Sequence, residues 1–429
     1  MSQDNIYLII YILLWAVLLF KYQKETKYFG AGSLLISSFL VYSVFAYLTY
    51  NNHDFTYMDF GHLKLFPFIY LFCAIVITMY PVLKTNETVY KAIEMPNQKA
   101  IDSISVIFIL ATIVQIPEMF SEISTGLAIM LADQNGANEL YAMAHNQSGP
   151  TSGFGGISNL FSIIYNVFSD LGILFFFYYL SLPKWNRFIL FGFIVAIIVS
   201  LLVPISQGLR TGVTMKLLTL VIAYVTMRRF LPSNVNKRIR VVGLSVMLGI
   251  GFLITLITIS RFGNTTDGSA AFTLYYLGQA PLNFNEYGLD AGGIRYGDRT
   301  ANTFKHLLLF PDVPNGIMAT RTKYSNMLMD DGSFYTYIGD FTLDYGPIGA
   351  FIIFIVFSVI MTKATKVKDG VLRFHQLIAL YFVMCVGIQG GFYLFNYSFT
   401  FNLVIIAFIL VYYYFKSNSS QNKTCICPQ

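Results

Sequence analysis

The sequence predicts an all-α, polytopic membrane protein: a bundle of about eleven transmembrane helices with one large outer loop. Three observations lead there. Apolar runs of 16 to 26 residues recur along the whole length. Hydrophobic residues make up 55% of the 429 positions and charged residues only 12%, about half the charged share of a soluble domain. The loops between the runs alternate in charge. In a bilayer every backbone polar group must be satisfied internally, and a helix of about 20 residues both does so and crosses the ~30 Å apolar layer.

The first span, 5–20, has no basic leader and no small-residue cleavage site, so it reads as a retained helix. Spans two and three (29–49 and 63–83) flank a polar outer loop, and span four (102–119) follows a segment with three lysines. Span five (156–181) begins at the end of the Gly- and Ser-rich "GPTSGFGGIS". Spans six and seven (187–206 and 211–227) are joined by the short turn "QGLR". Span eight (240–260) follows the basic "RRFLPSNVNKRIR"; spans nine, ten and eleven cover 346–362, 376–395 and 400–415. Three blocks result: spans one to eight over 1–260, a large outer loop over 261–345, and spans nine to eleven with a tail over 346–429.

Charge orients the bundle. Loops 21–27, 84–101, 184–187, 228–240, 363–373 and the tail hold 19 of the 28 Lys and Arg but, with Asp102, only 5 of the 22 acidic residues. Translocated loops avoid clustered Lys and Arg, so this set is expected in the cytoplasm, with the N-terminus outside and the C-terminus inside. Cys73 and Cys385 fall inside apolar runs, and the C-x-C of Cys425 and Cys427 has too few ligands for zinc. No HExxH, nucleophile elbow, Walker loop or DxD pair occurs. Chemistry without metal or cofactor is expected, and nothing points to nucleic acid.

The outer side carries cations against this trend. Arg210 opens span seven between Gly208 and Gly212, with Thr211 and Thr214 beside it. A glycine-flanked helix start with an arginine suits a phosphate or carboxylate, although an arginine reaching for headgroups between close-packed helices explains the same residues. Arg261 repeats the arrangement where span eight ends. The large loop adds Arg295, Arg299, Lys305, Arg321 and Lys323, yet its nine acidic residues outnumber its six basic ones. That balance suits cations gathered for a polyanion beside carboxylates for proton transfer; ion pairs within the loop are the plainer alternative. The loop also contains "FKHLLLFPDVP", apolar but too short to span, expected on the membrane surface or over a cavity. In span five, Asn159, Ser162, Asn166, Ser169 and Asp170 share one helical stripe, so Asp170 lines a polar cavity or is paired between helices. Gln389, Asn396 and Asn402 are candidates for the same cavity.

Three motifs carry a resemblance. "DDGSFYTYIGDFTLDYGPIGAFI" (330–352), "QGLRTG" around Arg210 and "YYLGQAPLNFNEY" (275–287) together resemble the Wzy-type polymerases of oligosaccharide repeat units. Span number and the dominant outer loop agree with that family. The resemblance implies a GT-C-like fold in the bacterial inner membrane, making surface polysaccharide such as O-antigen or capsule. It implies inverting transfer of a growing glycan from undecaprenyl pyrophosphate to the next lipid-linked repeat unit, alongside a flippase and a chain-length regulator. Arg210 and Arg261 would then hold the pyrophosphate; Arg295, Arg299, Arg321, Tyr335, Asp170 and Thr211 would bind substrate. The base would be Asp340, Asp344 or His306. Related O-antigen ligases place His-Asn where this chain has Tyr335 and Thr336, which favours polymerase over ligase or another lipid-linked transferase. A flippase would carry cations deep within its spans and needs no such outer loop.

Overall fold

The structure is a computed structural model describing residues 2–52, 60–85, 90–132, 136, 140, 157–262, 268–329, 333–367, 370–418 and 425–427. The chain is helical almost throughout, and among the described residues nine helices are long and apolar enough to cross a membrane. The chain is therefore an all-α polytopic membrane protein. Its residues form two compact units, each assembled from segments far apart in sequence: 1–89, 270–366 and 382–406 in the first, 90–269, 367–381 and 407–429 in the second.

The first unit begins with α1 (Gln3–Thr26), α2 (Ala31–Tyr50) and α3 (Leu65–Leu83). Ser2 caps α1 by accepting the Asn5 amide, and Lys27, in the left-handed region at φ 51°, ends it. These helices pack through rings. Tyr11 stacks on Phe68 at 4.8 Å and Trp15 on Phe39 at 5.0 Å, and the series continues through Tyr42 to Phe392 and Phe334. A chain with 40 Phe and 30 Tyr has the material for such a core, where ring pairs add to burial.

Within the outer loop the unit supplies α9 (Gly268–Tyr287), the short α10 (Asn302–Leu307) and α11 (Gly316–Lys323). Gly278 lets α9 lie on α2: a Cβ there would stand 2.3 Å from the Phe45 carbonyl oxygen. The next helix, α12 (Thr336–Ala364), has 29 residues and starts ten residues before the expected span at 346. Unbent it would be about 43 Å long, well over the apolar layer. It is broken at Gly346 (φ 70°, ψ 165°), followed by Pro347. The break separates a buried, polar half from an apolar half whose Ile348, Ile352 and Val356 are exposed. Asp340 and Asp344, four residues apart, share one face of the polar half.

The second unit holds α4 (Gln98–Ala132), α5 (Ile157–Ser181), α6 (Arg187–Ser206), α7 (Arg210–Met227) and α8 (Ser233–Phe262). Helix α4 continues past Pro117 into what the sequence reads as outer loop. Asn186 caps α6 by accepting from the Phe188 and Ile189 amides. Val213 of α7 packs with Leu201 and Ile205 of α6 and with Ile250 and Ile257 of α8.

Two expected spans fold as helices outside the nine: α7, which carries Arg210, Lys216 and four threonines, and the 16-residue α13 (Phe374–Gln389). The last long helix is α14 (Asn402–Ser417). A small sheet joins β1 (Ala92–Glu94) parallel to β2 (Val371–Leu372) and antiparallel to β3 (Cys425–Ile426). All three strands come from segments that the charge rule puts on one face.

Candidate functional site

The polar half of α12 is the base of the site. Asp344 accepts at Oδ2 from the amide and the hydroxyl of Thr300, both at 2.7 Å, and its Oδ1 lies 2.8 Å from Arg295 Nε. Asp340 accepts the Leu394 amide at Oδ2 (2.6 Å) and pairs through Oδ1 with Arg299 Nε at 3.2 Å and Arg295 at 3.8 Å. All four side chains are buried. Arg299 also donates to the Tyr335 hydroxyl at 2.7 Å and lies over the rings of Tyr335, Tyr393 and Phe399.

Two carboxylates thus hold two guanidiniums in fixed positions, as buried charges require. Burial opposes the charge on both arginines. The neighbouring carboxylates and the Tyr335 hydroxyl outweigh it, and both hold their protons more tightly than a free arginine.

Beside this cluster lies a cavity of about 410 Å³, lined by Arg295, Arg321, Tyr324, Tyr335 and an apolar wall that includes Met327 and Leu343. Arg321 comes from α11. Behind α11, Asp298 accepts from Lys305, from Lys323 at 2.7 Å and from the Tyr324 hydroxyl at 2.7 Å. Burial alone would push the Asp298 carboxyl up, but these donors outweigh it and hold it below the usual carboxylate range. The cavity therefore presents one arginine fixed from α12 and one from α11, with two phenols. Guanidiniums lining one recess bind phosphate or carboxylate groups.

Two of the three resembling motifs, 275–287 and 330–352, meet here. Gln279 accepts the Phe334 amide at 3.0 Å and Asn283 donates to the Phe334 carbonyl at 2.8 Å, so "YYLGQAPLNFNEY" fixes the residue before Tyr335. Asn402 clips the other side, accepting the Thr303 amide and donating to the Thr300 carbonyl.

Of the residues singled out in the sequence, Arg295, Arg299, Arg321, Tyr335, Asp340 and Asp344 come together. The geometry gives Asp340 and Asp344 the work of anchoring arginines; to take a proton, either would first have to open one of these bonds. His306 is exposed at the end of α10. Asn402 holds the outer loop, while Asn396 donates to Gln389 at 3.1 Å.

Arg210 and Asp170 belong to the second unit. Arg210 is buried at the start of α7 and donates to Thr258 of α8 at 2.9 Å. Its neighbour Thr211 is half-buried, and Gly212 lies against Pro204, where a Cβ would approach to 2.9 Å. Asp170 pairs with Lys216 at 2.8 Å, and Lys216 also donates to Ser169. Between the two expectations for Asp170, pairing between helices is what the structure has. Arg261 is in the last turn of α8, but its side chain, like that of Asn159, lies outside the described residues.

Asp298 and Tyr324 are functional residues that the sequence reading does not single out, and Lys216 stands there only as a charge within a span. Asp298 had a signal: it stands in "RYGDR" between two site arginines. No family model, curated protein or solved structure matches the chain.

Proposed function

We propose that this chain is a Wzy-type polymerase that joins lipid-linked oligosaccharide repeat units by inverting glycosyl transfer on the outer face of a bacterial inner membrane. The observation that carries the reading is the cavity where Arg295 and Arg321 converge beside two buried carboxylates. In the reaction an acceptor hydroxyl attacks the anomeric carbon of the donor from the face opposite the leaving group. The bond to undecaprenyl pyrophosphate breaks, its electron pair leaves with the pyrophosphate, and the hydroxyl proton passes to a base. Fixed guanidiniums stabilise the leaving charge most where water is scarce. Arg295 is held by Asp344 before substrate arrives, so little reorganisation is needed. Tyr324 and Tyr335, whose hydroxyls are held by Asp298 and Arg299, line the cavity with ring surface for sugars, and the methionine wall accepts their apolar sides.

The eleven-span, GT-C-like arrangement with the N-terminus outside is part of the proposal. What supports the alternation of sides is that β1, β2 and β3, from three segments assigned to the cytoplasm, share one sheet, and that Asp4 bonds Tyr50 and the Leu63 amide, at the expected outer ends of spans two and three. Arg210 and Arg261 are retained as candidates for the pyrophosphate. Donor and acceptor are both lipid-linked repeat units.

The test is surface glycan from a deletion strain complemented with variants and resolved on a gel. The deletion should leave single repeat units. Arg321→Ala, at normal protein level in the membrane, should slow polymerisation by about one to two orders of magnitude, since a charge-assisted contact contributes about 1.5–3 kcal/mol. Arg321→Lys should recover only part of it. Loss of all glycan from its final acceptor would point to a ligase instead, and accumulation at the inner face to a flippase.

A further inference from the structure

The turn after α10 has no part in the chemistry above, yet its surface is unusual. Leu307, Leu308, Leu309 and Phe310 are consecutive and 63, 71, 88 and 54% exposed. The turn is folded and not a loose end. Leu308 donates to the Phe304 carbonyl, Leu309 to that of His306 at 3.1 Å and Phe310 to that of Lys305 at 3.0 Å. Leu309 and Asp312 adopt left-handed backbone at φ 55° and 57°, a conformation disfavoured for leucine that the turn keeps. Its effect is to bring four large apolar side chains out together. Ile317 and Met318 of α11 are exposed as well.

We infer that the Leu307–Phe310 turn is a membrane-seating tip that inserts into the boundary between the lipid headgroups and acyl chains. The occupant follows from where the turn is rooted. Thr300, just before α10, is bonded to Asp344 and to the Tyr345 hydroxyl; the lipid-exposed half of α12 starts three residues later at Ile348, 79% exposed. The tip is thus anchored where this unit's own lipid-facing surface begins. His306 on one side and Asp312 on the other bound it with polar groups, the pattern of a segment that enters a bilayer only to the boundary. A contiguous apolar patch facing water is what soluble surfaces avoid.

Asp298 ties Lys305 of α10 to Lys323 of α11. A seated tip therefore holds Arg321 and its cavity at headgroup level, within reach of the phosphates of a membrane lipid. The proposal requires that the chain spans a membrane and is independent of the reaction assigned above.

The experiment uses the full chain with its four cysteines replaced, reconstituted in nanodiscs of phosphatidylcholine and phosphatidylglycerol. Leu309→Cys, and separately Leu308→Cys, carries an environment-sensitive fluorophore; Asp290→Cys, an exposed position in the loop outside the cavity lining, is the control. Each labelled protein is first shown to be monodisperse and helical. At both tip positions emission should shift to the blue. Lipid carrying a nitroxide high on the acyl chain should quench it several-fold more than aqueous iodide does, and the control should show the opposite. Iodide quenching without lipid quenching at the tip would overturn the inference. So would protection from both quenchers with energy transfer between differently labelled copies, which would make the patch a contact between two chains.

Discussion

Asp298 lies buried beneath Lys305, Lys323 and Tyr324, with its carboxyl held below the usual range. A carboxylate whose pKa is depressed in the fold stabilises it above its unfolded pKa of about 3.9 and loses that contribution as pH falls through the folded value. Thermal stability of the purified protein should therefore fall below about pH 4. Asp298→Asn should lower stability at neutral pH and flatten that acid limb. If the two proteins kept parallel pH profiles, the clamp would not be what orders the outer segment. The residues around Asp298 also set what the cavity can do: Lys323 is held back from it while Arg321, two residues earlier, lines it.

Helices α5 and α7 are joined by a charge pair within apolar surroundings. Asp170 is buried and Lys216 four-fifths so, at 2.8 Å. Breaking one partner of a buried pair leaves an uncompensated charge and costs about 3–5 kcal/mol, whereas replacing both by apolar groups is often neutral. Asp170→Leu should lower the thermal midpoint in detergent and reduce the amount of protein in the membrane. Adding Lys216→Met should restore both. A well-expressed Asp170→Leu protein of normal stability but without activity would instead return Asp170 to substrate binding. At the same scale, the break at Gly346 lets one helix carry both the buried carboxylates and a lipid-facing segment. Only the non-helical Gly346 separates them, and Asp340 and Asp344 keep the four-residue spacing that serves two arginines.

Across the whole chain, the alternation of loop charge carries one global prediction: 228–240 and 363–373 are expected on the side opposite the large loop. A phosphatase fused after Gly268 should be active and one fused after Pro232 inactive, because translocated loops exclude clustered Lys and Arg. The reverse pattern would invert the map and put the cavity in the cytoplasm. The sheet of β1, β2 and β3 requires its three segments to share a face, so a further fusion after Lys366 should match Pro232 and not Gly268. Disagreement between those two fusions would break the map even if the first pair behaved as expected.

The fold class was legible because apolar runs of bilayer length admit helices and little else, and because lipid leaves no partner for an unpaired backbone. The sequence also marked the arginines of the outer loop and the two aspartates of "IGDFTLDYG", since charges there stand out against an apolar chain. It did not say which arginine meets which aspartate. Arg295 and Asp344 are 49 positions apart, and such pairs are set by packing: Gln279 and Asn283 hold Phe334 and Asn402 holds Thr300 on either side of the charges. Helix ends moved for a related reason. Periodicity marks the apolar part of a helix, while the polar turns of α12 before Gly346 are helical because their carboxylates are satisfied by residues of the outer loop. Local chemistry decided what the chain is made of and that it crosses a membrane; long-range packing alone decided that Arg295 and Arg321 face one cavity.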